Sequence, residues 1–422
     1  MSEKPMMLLG DEAIAQGALD AGISGVYAYP GTPSTEITEY IQASPEGRSG
    51  EVHSQWSANE KTAVEAALGM SYAGKRALSC MKHVGLNVAA DPFVNAGVTG
   101  ANGGLVVVSA DDPSMHSSQN EQDSRFYGSF SFIPTLEPGN QQEAYDMVRY
   151  GYELSEKYHT AVLLRITTRL AHSRSGVTRA ATQARGQVRL PEDKRQFVML
   201  PAIARRRYQG VLDRQPALQQ EGRISGWNVL EDGPDKSLGI IACGIGYNYL
   251  MEACQGTCPH PVLRIRQYPV DPAMVAELVD ACQAVLVLEE GMPLVEEQLR
   301  GLLNRSGEVR GRLSGHLPRT GELNPNAVAK ALGRNMPAGP AVPELVQGRP
   351  PALCQGCSHV DAYLAINEAI KDAYGDGHVF ADIGCYTLGA LAPFESINSC
   401  VDMGASITMA KGAADAGVHP AL

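Results

Sequence analysis

A chain of 422 residues with 44% hydrophobic and 19% charged residues has the composition of a globular protein of about three domains. Its net charge of -11 excludes nucleic acid as a main partner, because a phosphate backbone needs basic surface. No apolar run approaches the ~20 residues that span a bilayer, and the apolar start Met6–Leu9 is too short for a secretory signal, with Asp11 and Glu12 following at once.

Short apolar runs alternating with helix-like stretches predict an α/β fold of buried parallel strands. The first block has strands at Gly25–Tyr29, Ala77–Met81, Leu105–Ser109 and Ala161–Ile166. Tyr29-Pro30-Gly31-Thr32-Pro33-Ser34-Thr35-Glu36 follows the first of these. Thr32 is expected to cap a helix and Pro33 to open it, leaving the amides and hydroxyls of Gly31, Thr32 and Ser34 at a helix mouth where a carboxylate can bind. Capping without any ligand explains the same residues. A helix is expected over about Ser57–Ala73, with Ala63, Val64, Ala67 and Leu68 on its apolar face and Glu60 near its start. Met81-Lys82-His83-Val84-Gly85-Leu86-Asn87 then leaves a strand end, the place where ligands gather in open α/β sheets. His83 reads either as an acid–base group or as a satisfied loop histidine.

From about Arg169 to Lys236 the chain is rich in Arg, Gln and Gly, with Arg205, Arg206 and Arg207 in a row, and is expected to be a solvated connector. Strands Leu238–Cys243, Val262–Arg266 and Ala284–Leu288 make the second block. Cys243-Gly244-Ile245-Gly246-Tyr247-Asn248-Tyr249 begins like a dinucleotide fingerprint, but Tyr249 takes the place of the third glycine. A tight strand-to-helix turn explains both glycines, which weakens a nicotinamide-dehydrogenase reading. A Pro- and Gly-rich stretch from Met336 to Pro351 marks a boundary. The third block has a strand at His378–Ile383. Nine cysteines, odd in number and scattered, fit reduced cytosolic thiols and not a disulfide scaffold. Cys354, Cys357 and Cys385, with Cys400 as a fourth or as a buried thiol, are candidate soft ligands.

Seven stretches in order carry a resemblance that covers nearly the whole chain: YPGTPSTE at 29–36, ANEKTAVEAALGMSYAG at 58–74, MKHVGLNVAADP at 81–92, GHLPRTGELNP at 315–325, CQGCSH at 354–359, DIGCYTLGAL at 382–391 and MGASITMAKG at 403–412. Together they resemble the large subunits of indolepyruvate:ferredoxin oxidoreductases, in the wider 2-oxoacid:acceptor oxidoreductase family. The resemblance implies thiamine-diphosphate-binding domains, with parallel sheets and helices on both faces, plus a transketolase C-terminal-like α/β domain. It places the pyrimidine-binding domain at 1–175, a connector at 176–236, the transketolase C-terminal-like domain at 237–335 and the start of the diphosphate-binding domain at 350–422.

The resemblance also implies site roles. Glu60 would bond N1′ of the aminopyrimidine ring, with Glu65 as second choice. Thr32, Gly31 and Ser34 would meet the oxoacid carboxylate, and His83 would lie in a loop over the same pocket. Asp382, Gly384, Cys385 and Gly404 would face the cofactor, and Cys354, Cys357 and Cys385 would hold an iron–sulfur cluster. The implied cofactors are thiamine diphosphate, Mg²⁺ and [4Fe-4S] clusters. The implied partners are a small beta subunit, ferredoxin, coenzyme A and an aryl 2-oxo acid. The Asp-bearing strand that binds Mg²⁺ and a two-cluster ferredoxin-like extension are expected beyond Leu422. The chain by itself is therefore expected to show neither electron transfer nor tight thiamine binding. A catalytically inactive, thiamine-related scaffold that binds a partner or a small oxoacid is the alternative from another class.

Overall fold

Leu105-Val106-Val107-Val108 offers no polar residue to turn outward, and a strand of that kind must be covered on both faces. The computed structural model describes residues 5–190, 196–197, 201–302, 308–312, 314–318, 321–336, 339, 342–346, 348, 352–375, 377, 379–381, 384–397, 399–400, 406–407, 410, 419–420 and 422. They form two compact units, Met1–Pro337 and Ala338–Leu422.

In the first unit the strands are β1 (Met6–Leu9), β2 (Gly25–Ala28), β3 (His53–Trp56), β4 (Ala77–Lys82), β5 (Leu105–Asp111), β6 (Thr135–Leu136), β7 (Val162–Thr167) and β8 (Arg174–Val177). They continue with β9 (Val229–Glu231), β10 (Gly239–Cys243), β11 (Val262–Ile265), β12 (Gln267–Tyr268), β13 (Ala284–Leu288) and β14 (Glu308–Arg310). A seven-stranded sheet runs β12-β6-β7-β5-β4-β2-β3. Its pairings are parallel except at the β12 edge, and the register sets Ala28 beside Trp56 and Cys80, and Lys82 beside Ala110. The period-two alternation of a strand divides its core. Val106, Val108 and Ala110 pack with the helices Gly10–Asp20, Thr35–Ala43 and Gln141–Tyr158. Leu105 and Val107 pack on the other side with the helices Glu60–Tyr72 and Ala90–Thr99. Helices thus cover both faces, as expected.

A second sheet runs β14-β13-β10-β11-β9, parallel except for the antiparallel edge strand β9. The predicted strands of both blocks are present, with ends shifted by at most two residues and Ala284–Leu288 unshifted. One relation was not foreseen: β12, in the second block by sequence, forms the edge of the first sheet. The stretch expected to be solvated is also folded over part of its length. Pro201–Ile224 is a helix that buries Val211 and Leu218. Arg207 and Arg214 donate to the carbonyls of Thr99 and Gly97 at the end of the Ala90–Thr99 helix, where cations are favoured. Both fingerprint-like glycines have packing reasons. A Cβ at Gly244, whose φ is +48°, would meet the Glu137 carboxyl at 2.6 Å, and one at Gly246 would meet the Leu288 carbonyl at 2.9 Å.

The second unit contains the helix Ser358–Ala373, a 3₁₀ turn at Cys385–Ala390 and a parallel pair of short strands, β15 (Phe380–Ala381) and β16 (Ser399–Cys400). Within the expected strand His378–Ile383, residues 378, 382 and 383 lie outside the described residues.

Candidate active site

Four strand ends converge on one edge of the first sheet. β2 leads to the Pro30–Ser34 turn, β3 to Asn59 and Glu60, β4 ends on Lys82, and β5 ends on Asp111. Ligands of parallel α/β sheets bind outside these carboxyl ends.

Asn59 places Glu60. Extended at φ -163°, it accepts a hydrogen bond from the Thr62 amide at 2.9 Å, and its own amide donates to Thr62 Oγ1. This capping box starts the helix at Glu60, later than the expected Ser57. Glu60 is 1% exposed and one carboxyl oxygen, Oε2, has no hydrogen-bond partner. A Cβ at Gly85, in the helix His83–Val88, would lie 2.6 Å from Glu60 Cγ and Oε1, so glycine is what lets this carboxyl lie flat over the helix. Burial pushes its pKa up to about 7, against the opposing effects of its own backbone amide and the Lys82 charge. Glu65, the second choice, is excluded: it is exposed and pairs with Lys61 one turn earlier at 3.2 Å.

Lys82 is the residue that sequence reasoning missed. It is 8% exposed, donates to the Ser117 carbonyl at 2.6 Å, and passes its stem so close to Gly31 that a Cβ there would meet its Cδ at 3.1 Å. Burial lowers its pKa, while Asp112 and Glu60 oppose that shift. The available signal was a lysine ending a strand that is otherwise buried on both faces, because its ammonium must then find acceptors inside the fold. Asp112 builds the acceptor loop: it accepts from the Ser117 amide at 2.7 Å, Ser118 Oγ at 2.7 Å and Thr168 Oγ1 at 2.8 Å. Burial pushes its pKa up, but those bonds and Lys82 outweigh it and hold the carboxyl below its ordinary value.

His83 does not lie in a loop. It opens the His83–Val88 helix and is 1% exposed. Its Nε2 lies 3.1 Å from the Asn120 carbonyl, an acceptor only, so Nε2 carries the proton. The other ring nitrogen, Nδ1, is buried without a partner and is left as an acceptor in the neutral ring.

The Pro30–Ser34 turn differs from expectation. Thr32 is not the cap and Pro33 does not open the helix, which begins at Thr35 after Ser34. The Ser34 amide and hydroxyl both donate to the Gly31 carbonyl, at 2.9 and 2.7 Å, and the Gly31 amide donates to Thr35 Oγ1 at 3.0 Å. The turn therefore satisfies most of its own donors, and buried Ser34 has none to spare for a ligand. Thr32 remains exposed.

In the second unit, Asp382 and Gly404 lie outside the described residues. Gly384 is extended and a Cβ there would collide with the Tyr386 ring. Cys354 and Cys385 are exposed, and Cys357 Sγ lies 3.2 Å from His359 Nδ1. Among the described residues these thiols are not in a three-donor group of single-ion size.

Residues 16–218 match the thiamine-diphosphate-binding domain family of pyruvate flavodoxin/ferredoxin oxidoreductases. The chain is 40% identical over 428 residues to the indolepyruvate oxidoreductase subunit IorA of Archaeoglobus fulgidus, covering 97% of this chain and 68% of that one. It is 40% identical to the IorA subunit of Pyrococcus abyssi, covering 96% and 65%. It thus spans about two thirds of the length of these relatives. A weaker likeness, 28% over 178 residues, is to the 2-oxoglutarate synthase subunit KorA of Methanothermobacter marburgensis. Among solved structures, a 2-oxoglutarate:ferredoxin oxidoreductase from Magnetococcus marinus, with 2-oxoglutarate, coenzyme A and succinyl-CoA bound, shares the fold. Its TM-score is 0.63 at 16% identity, covering 78% of this chain and 65% of that one.

Proposed function

Since the chain belongs to the indolepyruvate oxidoreductase IorA family of thiamine-diphosphate-dependent 2-oxoacid oxidoreductase subunits, we propose that it serves as the large subunit, or the greater part of it, in oxidative decarboxylation of aryl 2-oxo acids to acyl-CoA and carbon dioxide. Electrons pass to ferredoxin, and a small beta subunit completes the assembly. One observation carries the reading: a buried glutamate at the strand ends, with an unpartnered oxygen and a pKa raised to about 7. A carboxyl in that state can share a proton with a ring nitrogen, and the orphaned Oε2 fits the aminopyrimidine of thiamine diphosphate.

When bound, the cofactor supplies the carbanion chemistry of decarboxylation. Glu60 holds and orients the pyrimidine side. Lys82 would neutralise the oxoacid carboxylate: it is a buried cation at the end of β4, its stem against Gly31 and its ammonium at the Ser117 carbonyl. Nδ1 of His83 is a buried acceptor for a proton or a donor group. Thr32 contributes its exposed hydroxyl at the entrance, with Gly31 and Ser34 setting the turn. By their match to the family's motifs, Asp382, Gly384, Cys385 and Gly404 would hold the diphosphate and Mg²⁺, and Cys354, Cys357 and Cys385 would hold a [4Fe-4S] cluster.

The native assembly, assayed anaerobically with an aryl pyruvate, coenzyme A and thiamine diphosphate, should reduce a low-potential acceptor. Glu60→Gln should lower kcat/KM by about 10²–10⁴-fold. Turnover near wild type in that variant overturns the role of Glu60.

A further inference from the structure

Asp11, Glu36 and His172 lie apart in sequence and have no part in the proposed thiamine chemistry. Asp11 is the second residue of the Gly10–Asp20 helix, Glu36 the second of the Thr35–Ala43 helix, and His172 the last of the helix Thr168–His172. The helices follow β1, β2 and β7, and the fold brings one donor atom from each residue within 4.8 Å of the others. Nε2 of His172 lies 3.6 Å from Oε1 of Glu36.

Asp11 makes this more than a group of acidic side chains. It is fully buried, and neither of its carboxyl oxygens has a hydrogen-bond partner. Oε2 of Glu36 is also buried without one. A buried carboxylate lacking donors is costly unless something positive neutralises it. The groups converging on Asp11 are a second carboxylate and an imidazole whose neutral form offers a lone pair.

We propose that Asp11, Glu36 and His172 bind one divalent first-row metal ion. Two carboxylates and an imidazole suit Mn²⁺, Fe²⁺ or Zn²⁺, the nitrogen favouring these over Ca²⁺ and Mg²⁺. With metal–ligand bonds of about 2.0–2.2 Å, neighbouring ligand atoms stand about 3–3.6 Å apart, so the Glu36–His172 separation already has coordination size. Glu36 and His172 are each 36% exposed, which leaves room for the ion to enter and for water to complete the shell. The ion ties the start of the Thr35–Ala43 helix, directly after the Pro30–Ser34 turn, to two other helices. This inference rests on coordination chemistry and is independent of the thiamine reading.

The test uses the full chain, stripped with a chelator and titrated with Mn²⁺ alone, a probe that thiols bind poorly. Free Mn²⁺ is followed by electron paramagnetic resonance. Wild type should bind one equivalent, and Asp11→Asn and His172→Ala should each weaken binding by at least about tenfold. Should Asp11→Asn fold poorly, the half-exposed His172 still gives a clean readout. No uptake by wild type at millimolar Mn²⁺ overturns the proposal, as does unchanged affinity in His172→Ala. A protonated-carboxyl infrared band that Asp11→Asn abolishes, with no Mn²⁺ bound, would assign a shared proton in place of the metal and also overturn it.

Discussion

Glu60 lies against Gly85 so closely that any side chain at position 85 would have to displace the carboxyl, since a Cβ there comes within 2.6 Å of both Cγ and Oε1. Alanine favours a helix over glycine by about 1 kcal/mol, so Gly85→Ala should leave the His83–Val88 helix formed while moving Glu60. Thiamine-dependent turnover of the native assembly should fall at least tenfold, by analogy with misplacement of a catalytic group, with the circular dichroism spectrum retained. Wild-type turnover in that variant would show that the close packing has no bearing on the chemistry.

Glu60 also predicts a pH dependence of stability. Its pKa rises from 4.5 to about 7 in the folded chain, so the native state binds more protons than the unfolded state between those values. Stability contributed through this group therefore falls as pH rises from about 4.5 to 7. Glu60→Gln removes the effect. Denaturant titrations should find the variant more stable than wild type above pH 7, with the difference shrinking towards pH 4.5. Glu290, also raised to about 7 by burial, slopes the same way but is common to both chains and cancels in the comparison. A difference that does not vary with pH would contradict the assignment.

Lys82→Met keeps the apolar stem beside Gly31 and removes the ammonium. If the charge meets the oxoacid carboxylate, KM for the oxo acid should rise by about tenfold or more, in line with the loss of a charge-assisted bond of ~1.5–3 kcal/mol, with a smaller change in kcat. Lys82 holds the Glu60 pKa down, so the pH at which stability responds to Glu60 should move upward. An unchanged KM would remove Lys82 from the substrate site.

Arg165 predicts a coupling within the first unit. Fully buried, it donates to Asp111 at 2.6 Å, Glu137 at 2.5 Å and the Glu290 carbonyl at 2.8 Å. Arg125, equally buried, joins Asp123 to Glu289 and the Met292 carbonyl. These bonds run between the edges of the two sheets. Removing one partner of a buried pair leaves an uncompensated charge and costs about 3–5 kcal/mol. Arg165→Met should therefore lower the denaturation midpoint of residues 1–337 as one transition, followed by circular dichroism. Separate melting of the two sheets in the wild type would contradict the coupling.

Cys357→Ser should lower the iron and sulfide content of anaerobically purified native assembly by one cluster. Unchanged iron would remove Cys357 from the ligand set.

The sequence by itself determined the α/β class, and it did so through unbroken apolar runs. Stretches such as Leu105–Val108 and Ala284–Leu288 are short, Val-rich and unbroken, which reads as strands buried on both faces and needs no partner to be read. The resemblance of its ordered motifs to a known family, and not the local sequence, singled out Glu60 and His83. Only the tertiary structure decided which of these residues are buried, what they touch and which neighbours complete them. Glu60 and Glu65 share one helix, yet only Glu60 is sealed against Gly85, a contact between residues 25 positions apart. Lys82 went unread because its burial depends on Gly31 and on a loop held by Asp112. Thr32 was misplaced as a cap because Ser34 spends its donors on Gly31, a choice set by the closed geometry of the turn. Strand β12 joined the first sheet for a similar reason, since edge pairing depends on which backbone groups lie in reach and not on composition. Desolvation and hydrogen-bond partnership arise between distant segments, and they are what gave the site its chemistry.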